Sequence, residues 1–203
     1  MRSSLQRLSI VVAVWLLVGC SMAPPHSTTA ALQLDWETRK AQLQQLQQWQ
    51  VDGRVALRMG KEGGQSGFSW KHKSALQQQF NLSGLLGAGA VELLVGGAGA
   101  QLTTAGESYR GDRASQLLFE VTGWKIPVEA AQYWIKGLPD PTLELESLVL
   151  DEANRLQQLQ QAGWRIEIRR YQQLNQMELP AFVVMEQGDV RLKLRLNRWR
   201  LQS

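Results

Sequence analysis

The 203-residue chain contains one cysteine and two histidines, so thiol and imidazole chemistry have few places to reside. Cys20 closes the run Leu17-Val18-Gly19-Cys20. A lone thiol excludes an intrachain disulfide, and its place directly behind an apolar run and a glycine suits processing and acylation. His26 stands beside Pro24-Pro25 and His72 lies in a strand-like stretch, too few and too scattered to assemble a metal cluster or a Ser-His-Asp relay. His72 reads as a surface or rim residue. Asp140, Glu144 and Glu146 could be imagined as paired acids for glycoside chemistry, but a Pro-rich turn and an exposed strand make them a solvated edge. The glycines from Gly84 to Gly99 precede no helix and no Gly-Lys-Ser/Thr ending, which removes a phosphate-binding loop. No catalytic residue, metal or cofactor is expected, and the chain is not expected to be an enzyme.

The cysteine's setting carries more information. Arg2 and Arg7 precede the apolar run Leu8 to Val18, the pattern of a signal peptide over residues 1–19. That run is far shorter than the roughly 20 residues needed to span a bilayer. Leu17 to Cys20 resembles a bacterial lipobox, whose cysteine becomes the lipidated first residue; Cys20 is the expected lipid anchor. Ser21 stands where the inner-membrane retention signal of this class typically has Asp, which implies the outer membrane. Two or more acyl chains make such an anchor stable. Without Arg2 and Arg7 the chain has 20 basic against 18 acidic residues, a weak footprint for nucleic acid, and no nucleic-acid partner is expected.

With 44% hydrophobic and 20% charged residues the chain has ordinary globular composition,. Residues 20–31, rich in Ser, Thr, Ala and Pro, read as a tether, and residues 32–203 as a single domain. Leu32, Trp36, Leu43 and Leu46 fall within about 80° at 100° per residue, which predicts an amphipathic helix to about Gln50. From Val51 the period changes to two: Val51, Gly53, Val55, Leu57 and Met59 alternate with polar or small residues. Further strands are expected around Phe68-Trp70, Phe80-Leu82, Val91 to Val95 and Gln101 to Thr104. Two short helices follow, one from about Asp112 to Gly123 and one after Pro127 that Gly137 and Pro139 close. Alternation returns at Trp164 to Ile168, Phe182 to Val184 and Val190 to Leu196. Eight to eleven short strands with Gly-rich turns predict a mainly β fold with helices: a curved antiparallel sheet forming an incomplete β-barrel, with a helical lid over a hydrophobic cavity.

Several stretches together resemble the LolB family of outer-membrane lipoprotein receptors. They are the lipobox, the Trp-x-x-x-Gly-Arg pattern from Trp49 to Arg54, the loop Gly84-Leu85-Leu86-Gly87, the segment from Ile126-Pro127 to Trp134-Ile135-Lys136-Gly137-Leu138-Pro139, and the last strand ending Asn197-Arg198-Trp199. The resemblance covers nearly the whole chain. It implies a lipid-anchored protein at the periplasmic face of the outer membrane that accepts acylated lipoprotein substrates from the periplasmic carrier LolA. It then inserts them into the outer-membrane lipid, in the inner leaflet, without nucleotide or metal; a monomer is expected. The other class of reading is an outer-membrane lipoprotein that acts as a structural or assembly scaffold with no lipid ligand.

The candidate sites follow. Two leucines on a glycine-flanked loop are unusual because loop tips are normally polar. The resemblance implies that Leu86 is a membrane-targeting residue, with Leu85 in place of the proline that family members often carry. Leu57, Phe68, Trp70, Phe80, Leu82, Leu93, Leu118, Trp134 and Leu194 are the candidates for the wall of the hydrophobic cavity.

Overall fold

Two-residue alternation organises most of the chain. In the computed structural model, which describes residues 34–83 and 89–201, one helix and six strands come first: α1 (Trp36–Gln44), β1 (Trp49–Met59), β2 (Glu62–Ser74), β3 (Gln77–Ser83), β4 (Ala90–Gly96), β5 (Gly99–Thr104) and β6 (Glu107–Gly111). Two helices, α2 (Ala114–Thr122) and α3 (Val128–Trp134), separate them from β7 (Leu145–Leu150), β8 (Leu156–Gln161), β9 (Trp164–Leu174), β10 (Met177–Gln187) and β11 (Val190–Leu201). All the strands pair antiparallel in one sheet of order β6-β5-β4-β3-β2-β1-β11-β10-β9-β8-β7. Among the described residues neither β6 nor β7 has a second partner, so the sheet is not closed into a barrel.

This order constrains everything between β6 and β7. The two strands are consecutive in sequence yet lie at opposite edges, so residues 112–144 must cross the sheet. They cross its apolar face. On β11, Val190, Leu192, Leu194 and Leu196 are buried while Lys193 and Arg195 are exposed, and β1 repeats the pattern with Val51, Val55 and Leu57 inward. Leaving such a face in water would forfeit about 25 cal/mol per Å² of apolar surface. Covering it with α2 and α3 recovers that term. Each helix ends where the residues require: Gly123 adopts φ +74 after α2, and Gly137 adopts φ +83 beyond α3, a left-handed backbone that glycine tolerates without strain.

The first helix is shorter than its pattern suggests. It starts at Asp35, which accepts a 2.9 Å hydrogen bond from the Thr38 amide, and it stops at Gln44 rather than about Gln50. Trp49 and Gln50 belong instead to β1, opposite Leu201 and Arg200 on one side and His72 and Lys71 on the other. Pairing on both sides and full burial of Trp49 outweigh the last turn of an isolated helix, whose propensity is worth only tenths of a kcal/mol per residue. Pro127 precedes the first residue of α3 instead of being that residue. The strand Glu107–Gly111 is an addition to the expected set; its exposed residues carry no inward-facing period that would mark it.

Irregularities bend the central strands. The β1–β11 register shifts between Asp52 and Gly53, and the β9–β10 register shifts around Pro180 and Phe182; such bulges bend a strand and increase its twist. A Cβ placed on Gly53 would lie 2.0 Å from the Arg195 carbonyl oxygen and 2.8 Å from the Phe68 ring. The sheet can bend here only if position 53 has no side chain. Gly53→Val is therefore expected to destabilise the fold by about 2 kcal/mol or more, since overpacking typically costs 1–3 kcal/mol and here the obstacle includes backbone. A urea-unfolding midpoint equal to that of the parent protein would contradict this account of the bend.

Candidate functional site

Between the sheet and the crossing segment lies an apolar space of about 60 Å³. Phe68, Trp70, Phe80, Leu82 and Leu194 approach it from the sheet, and Leu118 from α2. These are six of the nine residues that the sequence nominates for a cavity wall. Val55, Met185 and Leu192 complete the sheet side; Ile126, Val128, Ala131 and Ile135 complete the lid side. Strand alternation points to Val55, Leu192 and Met185, but it cannot rank one inward side chain above another. The lid residues follow from the apolar face of α3 once that helix is known to cross the sheet. Phe80 and Ile126 alone among the lining residues are half-buried, so the space reaches solvent beside them. Phe80 lies 5.8 Å from the Phe68 ring and meets the Trp70 ring edge-on at 5.5 Å.

Leu57, Leu93 and Trp134 do not line this space; they are buried in the core around it. Leu57 lies between Gly64 and Leu192 on neighbouring strands, and Leu93 between Phe80 and Leu102; both are almost wholly buried. Trp134 turns toward β8, where its indole N–H donates to Gln161 Oε1 at 2.9 Å and its ring lies 6.2 Å from Trp164. The hydrogen bond to Gln161 sets this ring against β8 and β9 and outside the lining of the space,.

The lid is held by a few buried polar groups. Gln161 is fully buried and satisfied: its oxygen accepts from Trp134 and from the Asp140 amide, and its nitrogen donates to the carbonyls of Asp140 and Leu143. Ser115 on α2 and Glu129 on α3 lock the two helices together. The Glu129 carboxylate accepts from the Ser115 amide and hydroxyl, and the Ser115 hydroxyl accepts from the Val128 amide at 2.8 Å. α2 and α3 are thereby one unit, fastened to β8 through a single glutamine.

His72 fastens the same unit to the other half of the sheet. It is 5% exposed, not a surface or rim residue; it shares the inward face of β2 with Phe68 and Trp70 and stacks on Trp49 at 4.9 Å. Its Nδ1 lies 2.7 Å from the Gln47 carbonyl oxygen and its Nε2 2.9 Å from Gln132 Oε1 on α3. The amides fix one another's orientation. The Trp70 indole, a pure donor, requires the oxygen of Gln78 at 3.1 Å; the Gln78 nitrogen then faces Gln132 Oε1 at 3.2 Å; and Gln132 donates its own nitrogen to the Glu129 carbonyl,. Both ring nitrogens of His72 therefore face acceptors. Burial is the largest influence on the ring and holds its pKa below the ordinary histidine value, against the two acceptors, with the Lys136 charge adding to burial. Lys136 is itself buried, its pKa pushed down to about 8 by burial, and its Nζ donates to the Leu46 carbonyl at 3.3 Å. The α1–β1 connection is thus gripped at adjacent carbonyls by His72 and Lys136.

Asp140 is also a correction. It is 4% exposed, and its carboxylate accepts from the Thr142 amide and hydroxyl, both at 2.8 Å. Glu144 and Glu146 are exposed, and Glu146 accepts from the Gly163 amide at 2.9 Å. The three acids form turns and strand connections and do not converge. No group of three His, Cys, Asp or Glu among the described residues could hold a metal ion. Cys20, Leu85 and Leu86 lie outside the described residues.

Comparison with known proteins agrees with this geometry. The family model described as outer membrane lipoprotein LolB matches residues 47–199. The chain is 34% identical over 194 residues to outer-membrane lipoprotein LolB of Chromohalobacter salexigens, covering 95% of this chain and 89% of that one. It is 34% identical over 191 residues to the protein of that name in Pseudomonas aeruginosa, covering 92% of each. Among solved structures, a LolA superfamily protein from Nitrosomonas europaea superposes with a TM-score of 0.54 at 9% identity, over 84% of this chain and 94% of that one; at that identity the likeness concerns the fold.

The buried His72 makes the lid's attachment dependent on pH. Its folded pKa lies below its unfolded value, so as pH falls through about 6.5 the unfolded chain takes up a proton first. This group's contribution is therefore intact above that pH and is lost below it. The melting temperature is expected to fall between about pH 7.5 and pH 5.5, and the fall to be smaller in His72→Gln. An unchanged pH dependence in that variant would show that His72 does not set it.

Proposed function

The chain belongs to the LolB family of outer membrane lipoproteins, and on that premise we propose that it receives lipoproteins from the periplasmic carrier LolA and inserts them into the inner leaflet of the outer membrane. The observation that carries this reading is the apolar space under a helical lid. Residues 1–19 are the signal peptide, Cys20 is the lipid anchor, residues 20–31 are the tether and residues 32–203 are the binding domain. The anchor holds the domain at the periplasmic face of the outer membrane, where it acts as a monomer and catalyses no chemical reaction.

The mechanism follows from size and hydration. About 60 Å³ is less than the roughly 150 Å³ cavity that accepts a benzene molecule, so the described state is closed and cannot hold an acyl chain. The lid side of the space, from Leu118 to Ile135, must move away from Phe68, Phe80 and Leu194 as the chain enters. Each 16-carbon chain gains on the order of 12 kcal/mol by staying out of water, at about 0.8 kcal/mol per CH₂. Transfer therefore runs from one apolar site to the next without release into solvent. The chain replaces contacts that the lid gives up, and direction comes from each acceptor binding more favourably than the donor. A small, nearly filled space is also what the scaffold reading requires, and ligand uptake distinguishes the two.

Two substitutions make that test. Phe80→Ser, at a half-buried lining position, is expected to cost less stability than the 3–5 kcal/mol typical of a fully buried aromatic, yet to weaken binding of a fluorescent apolar probe and acceptance of a lipoprotein from the carrier. Trp134→Ser is expected to do the reverse, with a large loss of stability because a fully buried Trp leaves a cavity and Gln161 loses one of its two donors,. Undiminished uptake by folded Phe80→Ser would take Phe80 out of the binding wall, and absence of uptake by the parent protein would favour the filled scaffold. Leu86→Glu tests delivery separately. Burial of a Leu is worth about 1.5–3 kcal/mol, enough to orient a tethered domain, whereas a glutamate there would have to be desolvated. The variant should accept lipoprotein and fail to incorporate it into liposomes; normal incorporation would reduce the loop to a turn.

A further inference from the structure

The outer face of the sheet carries a feature that acyl-chain binding does not use. On β1 and β11, Arg54 stands directly opposite Arg195 and Arg58 opposite Arg191, with Lys193 opposite Ala56. Like charges facing each other across a strand pair are destabilising. Arg191 is relieved by Glu186 at 2.8 Å and Arg200 by Asp52 at 2.8 Å. Arg54, Arg58, Lys193 and Arg195 make no ion pair with a described residue. Arg198 stands opposite Asp52 in the register, but the carboxylate pairs with Arg200.

Beside these cations runs an open groove of about 500 Å³, bordered by Arg54, Ser69, Asn81, Ser83 and Arg198 with Gly67 in its wall. Gly67 needs no left-handed backbone, and a Cβ there would have its nearest neighbour at 3.7 Å. Neither conformation nor packing demands a glycine at 67, and its missing side chain leaves open space next to Arg54. Guanidinium, hydroxyl and amide groups around such an opening are donors suited to phosphate oxygens. Asp52 also lines the groove, and its charge is taken up by Arg200.

We propose that this groove binds the phosphate headgroups of an anionic phospholipid surface, the same membrane to which the domain is tethered. Position favours lipid over an acidic protein. Ser83, at one border of the groove, immediately precedes the loop that carries Leu85 and Leu86. Cations for headgroups, followed directly in the sequence by two leucines, combine the two kinds of side chain that an interfacial contact uses,. The proposal rests on the reading of the protein as one that works at a membrane, but not on uptake of acyl chains.

The test uses the mature chain, residues 20–203, with Cys20→Ala so that the anchor does not dominate. Flotation with phosphatidylcholine vesicles is compared with flotation when phosphatidylglycerol is included. Stronger association with the anionic vesicles, weakening as salt is added, is expected. Arg54→Gln with Arg198→Gln should reduce that association about 25-fold, from roughly fivefold for each arginine near an anionic surface. Apolar-probe uptake and the cooperative unfolding transition should stay at the parent level, which separates this result from failure of the cavity or of the fold. Equal flotation by the parent on neutral and anionic vesicles, or by parent and double variant on anionic ones, overturns the proposal. So does a double variant that floats normally but loses acceptance from the carrier, which would make the groove a protein-docking face.

Discussion

An antiparallel sheet with one apolar face has to cover that face, and among the described residues the β6–β7 connection supplies most of the cover, with Leu43 of α1 joining the same core. The connection joins opposite edges of an open sheet, so it cannot be a tight hairpin. Its length, its two helices and their inward Leu, Val, Ala and Ile residues follow from the crossing. A closed barrel would have removed the two edges but would also have removed the route by which a covering segment enters and leaves. The open architecture keeps both edges and gains a cover made of a separate, jointed piece.

The joints are polar and the contact surface is not. α3 is fastened through Gln161 on one side and through His72, Gln78 and Gln132 on the other, while Ser115 and Glu129 make α2 follow α3. Around the cavity between these points, the lid faces the sheet through apolar side chains. Hydrogen bonds among buried amides fix orientation, because an unsatisfied buried group costs about 1–3 kcal/mol. Apolar contacts are non-directional and can be exchanged for a lipid chain of similar surface. The division allows the lid to move by exchanging apolar contacts while the amides set its register on the sheet.

Much of this was legible in the sequence because a period of two specifies which face a residue occupies. Phe68, Trp70 and Leu82 fall inward as their alternation requires, and Gly123 and Gly137 end the lid segments as expected. What period cannot give is depth. Leu57 and Leu93 face the correct way and are packed by neighbours, and Trp134 is held against β8 by Gln161. The same alternation put His72 inward, two residues beyond Trp70; its polarity obscured a signal that was present. Asp140 was hidden for a different reason, since burial by way of two hydrogen bonds to Thr142 is a property of the turn and leaves no periodic trace. The short α1 shows the limit of helical pattern when a neighbouring strand can claim its last residues.

The energetics of opening decide whether such a lid can work without an energy source. Separating the lid in water would expose Leu118, Ile126, Val128, Ala131 and Ile135 together with the sheet residues beneath them. At about 25 cal/mol per Å², that cost is a large fraction of the 5–15 kcal/mol that stabilises a typical domain. An open, empty state is therefore sparsely populated. When an acyl chain enters as the lid moves, however, the apolar surface of both sheet and lid stays covered and the chain's own surface is buried as well. The opening cost is then offset by the ligand itself, so closure in its absence and opening in its presence require only that ligand and lid compete for one apolar surface.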